Sequence, residues 1–257
     1  MRIEVVTLFP EMIREAMRHG VVGRAVTRGL LQLGTEDPRA HTSNVRQTVD
    51  DRPYGGGPGM VMKPEPLCAA IDAAAGRLPA GSLRVAMSPQ GRLLTQTVLD
   101  ELSRAPGLVL VAGRYEGIDE RVLEGAIDIE LSIGDYVLSG GELPALVVID
   151  ALARILPGAL GDERSSAEDS FSNGLLDWPH YTRPEEFGGR RVPEVLLSGD
   201  HAAIRRWRRK QALGRTWLRR PGLLAIPPAD DEAAQLLQEF LSEQRAIEGP
   251  SMEGKRR

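Results

Sequence analysis

Cysteine is almost absent from this chain, since Cys68 is the only one among its 257 residues. A single cysteine excludes an internal disulfide and any zinc site built from a cluster of cysteines. Such sparse use is typical of a reducing compartment, so we expect a cytoplasmic protein. The opening "MRIEVVTLFP" is typical of a strand and has no charged segment followed by an apolar one, so no signal peptide is expected.

Long apolar runs are also absent. The longest, "LPALVVIDALARILPG", contains Asp150 and Arg154 and falls short of the roughly 20 apolar residues that cross a bilayer. We therefore expect no membrane partner. With 42% hydrophobic and 26% charged residues, the chain has an ordinary globular composition, and its length suits one large domain or two smaller ones.

Several common ligand-binding motifs are missing as well. No G-x-G-x-x-G follows a predicted strand, which leaves a Rossmann dinucleotide site unsupported. The only lysines are Lys63, Lys210 and Lys255, and none lies in the frame of a phosphate-binding P-loop. The four histidines form no H-E-x-x-H pair, which argues against a hydrolytic metal site.

The chain does contain alternating strand and helix patterns up to about Gly158. The predicted strands are "IEVVTLF", "LRVAMSP", "GLVLVAG" and "IDIELSI", with Pro89 ending the second. The predicted helices are "EMIREAMRHGVVGRAVTRGL", "KPEPLCAAIDAAAGRL", "LTQTVLDELSRA", "IDERVLEGA" and "LPALVVIDALARILPG". This alternation predicts an α/β domain over residues 1–160 with a mostly parallel sheet, which binds ligands at the carboxyl ends of its strands.

Three glycine-bearing segments follow predicted strands, namely "MSPQGR", "AGRYEG" and "SIGDYVLSGGE". Glycine is the default turn residue, and it also lets the backbone approach a ligand closely. From "SIGDYVLSGGE" alone, a plain pair of turns is as good an interpretation as a ligand loop. The convergence of three such segments at one sheet edge favours a ligand site.

The composition changes after residue 160. Residues 161–174, "GDERSSAEDSFSNG", are polar and are predicted to form a flexible linker or lid. Residues 175–247 are predicted to form a small all-helical domain, and 248–257 a frayed tail.

A basic cluster lies in this second domain, with Trp207 and Trp217 interleaved. Its cations share one helical stretch with no acid among them: Arg205, Arg206, Arg208, Arg209, Lys210, Arg215, Arg219 and Arg220. Cations that neutralise phosphates and aromatic rings that stack on bases are typical of nucleic-acid contact. A solvated helix face with two core tryptophans is the alternative.

Four segments together resemble the bacterial tRNA (guanine-N1)-methyltransferases of the TrmD type: "SIGDYVLSGGELPALVVIDALARILPG", "DDRPYGGGPGM", "SPQGR" and "AGRYEGIDERV". The resemblance runs from "LFPEM" through "LLDWPHYTRPEEFGGRRVPEVLLSGDHAAIRRWRR". It implies a SPOUT-class α/β fold whose mostly parallel sheet ends in a C-terminal trefoil knot, one of the rare exceptions to the rule against knots.

The resemblance also implies the activity. S-adenosyl-L-methionine would be the methyl donor, and the protein would be a homodimer with its active sites at the subunit interface. The acceptor would be N1 of guanine 37 in tRNA, next to the anticodon, where another guanine precedes it. The family is also reported to need magnesium, and nothing in this sequence locates a metal site.

The cofactor pocket implied by the resemblance is built from the three glycine-bearing segments. Its residues would be Ser88, Pro89, Gly113, Tyr115, Glu116, Ile133, Gly134, Asp135, Tyr136, Val137, Leu138, Gly140, Gly141 and Pro144. Backbone polar groups suit a neutral adenine, and a carboxylate suits a cationic sulfonium, so the missing phosphate motifs agree with this ligand.

Guanine N1 carries a proton, so its methylation needs a general base and a positive group near O6. The resemblance gives these roles to Asp169 and Arg154. By themselves, Asp169 is typical of a solvated loop, and Arg154 could simply pair with Asp150 one helical turn earlier. Closure of the 161–174 segment on tRNA could desolvate the base and raise its pKa.

Further residues are expected to contact tRNA. They are Gly59, Ser165, Asp177, His180, Arg183, Arg208 and Arg209. The "DDRPYGGGPGM" segment would act near the target guanine, across the dimer, although it could be a mere connector.

Two other functions remain open. Another SPOUT methyltransferase, acting on a ribose 2′-hydroxyl or on rRNA, would need no base for an aromatic N–H, so the Asp169 segment argues against it. A non-catalytic RNA-binding or assembly factor predicts a damaged pocket, and "SIGDYVLSGG" is intact.

Overall fold

The computed structural model describes residues 1–160, 169–224 and 230–248. The chain divides into two units, Met1–Glu163 and Arg164–Arg257. This division falls inside the segment 161–174 that was predicted to link two domains. Of that segment, residues 161–168 lie outside the described residues, as do residues 249–257 of the predicted tail.

Strands and helices alternate in the first unit, as the sequence predicts. In chain order they are β1 (Arg2–Val6), α1 (Pro10–Ala16), α2 (Gly20–Thr27), β2 (Gln32–Glu36), β3 (Asp50–Asp51), β4 (Val61–Met62), α3 (Pro64–Ala75), β5 (Leu83–Leu93), α4 (Gln96–Ser103), β6 (Gly107–Ala112), α5 (Glu120–Ala126), β7 (Ile129–Ser132) and α6 (Glu142–Ile155). Prolines open α1 and α3, where a missing N–H has no cost.

The main sheet has the strand order β2-β1-β6-β5-β7, and every adjacent pair is parallel. All six residues of β6 are buried, as expected for a strand covered on both faces. Leu108 and Leu110 pack in a cluster with α1, α2, α4 and α6, whereas Val109 and Val111 pack with α3 and α5 on the other face. The unit is therefore a three-layer α/β structure, which confirms the predicted sheet type.

Two predicted boundaries are wrong. Strand β5 does not end at Pro89 but continues to Leu93, because residues 88–91 form a bulge, with Met87 and Arg92 both opposite Leu131. Proline is tolerated there because a bulged residue needs no ladder N–H. The single helix predicted after Pro10 is instead α1 and α2, separated by residues 17–19, and the φ of +66° at Gly20, where α2 begins, is incompatible with a continuous helix.

The second unit is mostly helical. Its described elements are the strands β8 (Glu186–Phe187) and β9 (Arg190–Arg191), and the helices α7 (Glu194–Leu197), α8 (His201–Arg219) and α9 (Asp231–Glu248). The antiparallel β8–β9 pair corrects the prediction of an all-helical domain, because Gly188 and Gly189, both with positive φ, allow a tight hairpin there.

Helix α8 is the basic helix that the sequence predicts. Asp200 caps it by accepting hydrogen bonds from the N–H groups of Ala202 and Ala203 at 2.9 and 3.0 Å. These backbone hydrogen bonds lower the pKa of the Asp200 carboxyl, and the bond from Ala203 has the larger effect.

In the part of the chain that the structure describes, no helix is both long and apolar enough to cross a membrane.

Candidate active site

The carboxyl ends of β6, β5 and β7 are adjacent in the sheet. A glycine-bearing segment lies at each end: the bulge 88–91 in β5, the loop 113–117 after β6, and the loop 133–141 after β7. Together they line a cavity of about 240 Å³, close to the lower end of the range for small-molecule pockets, roughly 300–1,000 Å³. The three segments therefore meet at one edge, as the sequence predicts.

Most residues that were expected to bind the cofactor line this cavity. They are Ser88, Pro89, Gly113, Tyr115, Glu116, Ile133, Gly134, Tyr136, Val137, Leu138, Gly140, Gly141 and Pro144. Asp135 is not part of the lining. The cofactor role of all of them stays a prediction. Sequence reasoning missed other lining residues, including Gln90, Arg114, Ile118, Glu120 and Glu130. Only their position in or near the glycine-bearing segments could have indicated them.

Close packing explains why glycine is needed at positions 140 and 141. A Cβ on Gly140 would lie 2.3 Å from Nε of Arg114, and a Cβ on Gly141 would lie 2.6 Å from Cα of Ala112. The N–H of Gly141 donates to the carbonyl of Gly113 at 2.8 Å, which joins the loop after β7 to the end of β6. These glycines therefore allow two pocket segments to touch, in addition to any approach to a ligand.

A buried ion pair lies behind this contact. Glu142, in the first turn of α6, is 1% exposed and accepts a hydrogen bond from Oγ1 of Thr7 at 2.9 Å. Nη2 of Arg114 lies 2.8 Å from its other carboxylate oxygen. Arg114 also donates to the carbonyl of Ser139 at 3.1 Å and stacks on Phe9 at 4.4 Å. One arginine thus connects the segment between β1 and α1, the end of β6 and the loop before α6.

The pocket backbone includes two residues in the left-handed region. Tyr115 has φ +63°, which is unusual for a residue with a side chain, and Gly134 has φ +141°. The Tyr136 ring covers Gly134, and its hydroxyl donates to the carbonyl of Ile133 at 3.3 Å. Positive φ at a non-glycine residue is a conformation that proteins keep at functional sites.

The "DDRPYGGGPGM" segment reaches the same pocket. The N–H of Glu116 donates to the carbonyl of Met60 at 2.9 Å, and a Cβ on Gly59 would lie 2.2 Å from the Glu116 carboxylate. Gly59 also has φ +80°. Gly59, expected to contact tRNA, and Glu116, expected to bind the cofactor, are therefore neighbours.

The two predicted catalytic residues lie in different units. Arg154 is partly buried in the last turn of α6, and Asp169 is partly buried before a turn in which its carbonyl accepts from the N–H of Ser172 at 3.2 Å. Both side chains already interact within the protein. Their catalytic roles, and the alternative of a pair with Asp150, stay predictions.

A polar and aromatic cluster contains several residues that were expected to contact tRNA. Nε2 of the His180 ring lies 2.7 Å from the Asp177 carboxylate, at hydrogen-bonding distance. The Arg208 guanidinium stacks on the Trp178 ring at 4.8 Å, and Trp178 also packs near His180. Arg183 is exposed. Ser165 lies outside the described residues.

Helix α9 supplies acids that the sequence did not reveal beside the basic helix. Arg209 pairs with Asp230 at 2.6 Å and also with Glu232. Arg206 pairs with Glu239 through two hydrogen bonds, and Lys210 pairs with Glu243. The cations of α8 are therefore not equally available to a ligand, and the proposed contact of Arg209 with tRNA stays a prediction.

Across the described ranges, no group of three or more potential metal ligands is found.

Comparison with known proteins gives a clear family. A family model described as "tRNA (Guanine-1)-methyltransferase TrmD" matches residues 1–226. A tRNA (guanine-N(1)-)-methyltransferase of Methylococcus capsulatus is 61% identical, over 95% of this chain and 97% of that protein. Proteins with the same name from Halorhodospira halophila and Salmonella schwarzengrund are each 58% identical over 95% of this chain, covering 93% and 95% of those proteins.

Proposed function

The chain belongs to the tRNA (guanine-1)-methyltransferase family, and on that premise we propose that it methylates N1 of a guanine in tRNA. The observation that carries the proposal is the cavity at the ends of β5, β6 and β7, whose lining matches the family segments of this chain. We further propose guanine 37 as the acceptor, next to the anticodon and preceded by a guanine. We also propose a cytoplasmic location, which a tRNA substrate supports.

A methyltransferase of this family implies S-adenosyl-L-methionine as the methyl donor. The lining suits that molecule because backbone groups of the loop 133–141 would bind a neutral adenine without a phosphate cradle, and the carboxylates of Glu116 and Glu130 suit a positive sulfonium. When bound, it supplies an electrophilic methyl group. Backbone N–H and C=O groups of the three loops would hold its neutral parts, while Tyr136, Leu138 and Pro144 exclude water.

Asp169 acts as the base in this proposal. Its carboxylate would accept the proton of guanine N1 as that nitrogen bonds to the methyl group and the donor's methyl–sulfur bond breaks, which leaves S-adenosylhomocysteine. A positioned base contributes about 10²–10⁴-fold to the rate. Arg154 stabilises the negative charge that builds on O6 as the proton leaves, a contribution of roughly 2.7–4 kcal/mol for a preorganised donor.

The proposed tRNA-binding residues are Gly59, Ser165, Asp177, His180, Arg183, Arg208 and Arg209. Gly59 borders the pocket through Glu116, whereas Asp177, His180 and Arg208 form a cluster around Trp178. Stacking rings beside a cation are suited to unpaired bases and phosphates.

A need for magnesium belongs to the proposal as well. Methyl transfer measured after removal of the ion with EDTA, and again after its restoration, tests it.

We propose the trefoil knot and the homodimer on the same premise. The close passage of Gly140 and Gly141 across the end of β6 supports a threaded loop. Exposed apolar side chains on α1 and α6, Met12, Leu143 and Val147, together with Phe9 before α1, support a subunit contact.

The first experiment is methyl transfer from labelled S-adenosylmethionine to unmodified tRNA transcripts that carry guanine or adenine at position 37. Nucleoside analysis should give N1-methylguanosine from the guanine transcript alone. Methylation of both transcripts would contradict the proposed position or atom. Cofactor binding without transfer to either transcript would favour a binding factor over an enzyme.

The role of Asp169 has its own test, the Asp169→Ala variant. We expect it to bind S-adenosylmethionine normally and to lose about 10²-fold or more in single-turnover rate, because N1 then keeps its proton. Asp100→Ala is the control, since Asp100 is exposed on α4 and has no proposed role in chemistry or binding. A near-normal rate for Asp169→Ala would refute the base assignment.

A further inference from the structure

The cations of helix α8 lie in two different electrostatic environments. Glu239 accepts two hydrogen bonds from Arg206, at 2.9 and 2.7 Å, and also accepts from Gln235 at 3.1 Å. Glu243 holds Lys210. Both carboxylates belong to α9, so this side of the basic helix is already neutralised by protein.

The packing between the two helices fixes this arrangement. A Cβ on Gly214 would lie 2.3 Å from the Phe240 ring, so only glycine lets that ring pack on α8. Leu213, Ala233 and Leu236 form a buried cluster between the same helices. Helix α9 therefore lies on α8 through a close apolar contact that its ion pairs flank.

Other arginines of α8 point away from α9. Arg208, Arg215 and Arg219 are spaced by seven and four residues, which places them on one helix face. At roughly 100° per residue, Arg206 and Arg215 are about 180° apart around the helix. Within the described ranges, neither Arg215 nor Arg219 forms an ion pair with any carboxylate.

We propose that helix α9 divides the cations of α8 into a structural face and an RNA face. Arg206 and Lys210 hold α9, whereas Arg208, Arg215 and Arg219 contact the phosphate backbone of tRNA. Charge complementarity indicates tRNA as the ligand of the RNA face. A row of arginines beside the Trp178 ring suits a polyanion whose bases can stack. This inference rests on the proposed tRNA substrate and specifies which surface binds it.

The division predicts different salt dependences for matched variants of the full-length protein. Each phosphate contact contributes roughly 0.7–0.9 to the slope of log affinity against log salt concentration. We expect Arg215→Gln to reduce the slope for unmodified tRNA by about that amount and Arg206→Gln to leave it unchanged. Hydrogen exchange of α9 should show the reverse, with faster exchange in Arg206→Gln and wild-type rates in Arg215→Gln.

A third variant, Glu239→Gln, tests whether α9 and tRNA bind separate sets of cations on α8 or compete for the same ones. Because Arg206 and Arg215 lie on opposite sides of α8, we expect Glu239→Gln to speed hydrogen exchange in α9 without changing the salt slope. A steeper slope would show that α9 and tRNA compete for the same cations, and equal losses of slope in Arg206→Gln and Arg215→Gln would also overturn the proposal. Wild-type protein that fails to bind tRNA would instead refute the proposed function.

Discussion

At Gly141 the space beside the backbone is too small for any side chain. Its φ is −82°, an ordinary value, so the need for glycine is steric rather than conformational. A Cβ there would lie 2.6 Å from Cα of Ala112 and 2.9 Å from the nitrogen of Gly113, both of which are backbone atoms. A clash with backbone requires a shift of the pocket wall itself.

We therefore expect Gly141→Ala to weaken S-adenosylmethionine binding. Overpacking costs about 1–3 kcal/mol, which corresponds to roughly a tenfold loss of affinity or more if it falls on the bound state. Calorimetric titration measures it. Gly125→Ala is the control, because Gly125 lies in helix α5 with nothing within 4 Å of its added Cβ. Equal affinities for the two variants would contradict the steric argument.

Glu142 is a second residue whose surroundings define its role. Its carboxylate is 1% exposed and joins Thr7 to Arg114. In Glu142→Gln the amide can keep the Thr7 hydrogen bond but leaves Arg114 without its opposite charge. We expect unfolding free energy to fall by about 1–3 kcal/mol and pocket affinity to fall with it, as measured by urea unfolding and titration.

The control for Glu142→Gln is Glu65→Gln. Both acids lie in the first turn of a helix, where the helix dipole favours negative charge, but Glu65 is exposed. A loss confined to Glu142→Gln assigns the effect to the buried ion pair. Equal losses would assign it to the dipole instead.

At the scale of elements, the edge strand β2 is held by a charged network. Arg77, just after α3, lies 2.7 Å from Glu4 on β1 and 2.7 Å from Glu36 on β2, and His41 lies 2.8 Å from Glu36. Burial acts to raise the pKa of Glu36, but hydrogen bonds from His41 and Arg77 outweigh it, so the pKa is lowered. The network therefore stabilises the strand only while Glu36 is ionised.

This lowered pKa gives a pH prediction. The ordinary value is 4.5, so the contribution of Glu36 is present above about that pH and is lost as the pH falls below it. We expect wild-type stability to the denaturant urea to decline from pH 5 to pH 3, followed by circular dichroism. Arg77→Gln should be less stable at pH 6 and decline less steeply. Parallel declines in both proteins would show that Arg77 does not set this pKa.

Periodic elements could be predicted from the sequence, and edges and junctions could not. Strand β6 could be predicted because a strand buried on both faces is a continuous apolar run. Helix α6 could be predicted because a helix buried on one face has apolar residues at helical spacing. Strand β2, "QLGTE", has no such trace, since it is an edge strand held by Glu36 and its partners. The break at Gly20 was missed because apolar spacing continues across it.

The candidate site follows the same division. The glycine-bearing loops were predicted because parallel strands bring their carboxyl ends together. The pairing of Arg114 with Glu142 joins positions 28 residues apart, and the pairing of Arg209 with Asp230 joins positions 21 residues apart. Neither spacing is a local motif, so only the folded chain reveals that one arginine supports the pocket and the other is paired with an acid just before α9.

At the scale of the whole molecule, the residues with proposed chemical roles are divided between the two units of the chain. The pocket lies in Met1–Glu163, whereas Asp169 belongs to Arg164–Arg257. If the active site lies at a subunit interface, the Asp169 that serves one pocket comes from the partner subunit. A symmetric dimer would then hold two composite sites.

Mixed dimers test this arrangement. The assay uses S-adenosylmethionine well below the Kd of Gly141→Ala, so that both Gly141→Ala and Asp169→Ala have low activity as separate homodimers. A heterodimer of the two, isolated by different affinity tags on each chain, has one site with both defects and one with neither, so about half of the wild-type rate should return. If each site were built within one chain, every site in the heterodimer would carry one defect and no activity would return. Recovery of heterodimers by the second tag also tests the dimer itself, because monomers would not be retained.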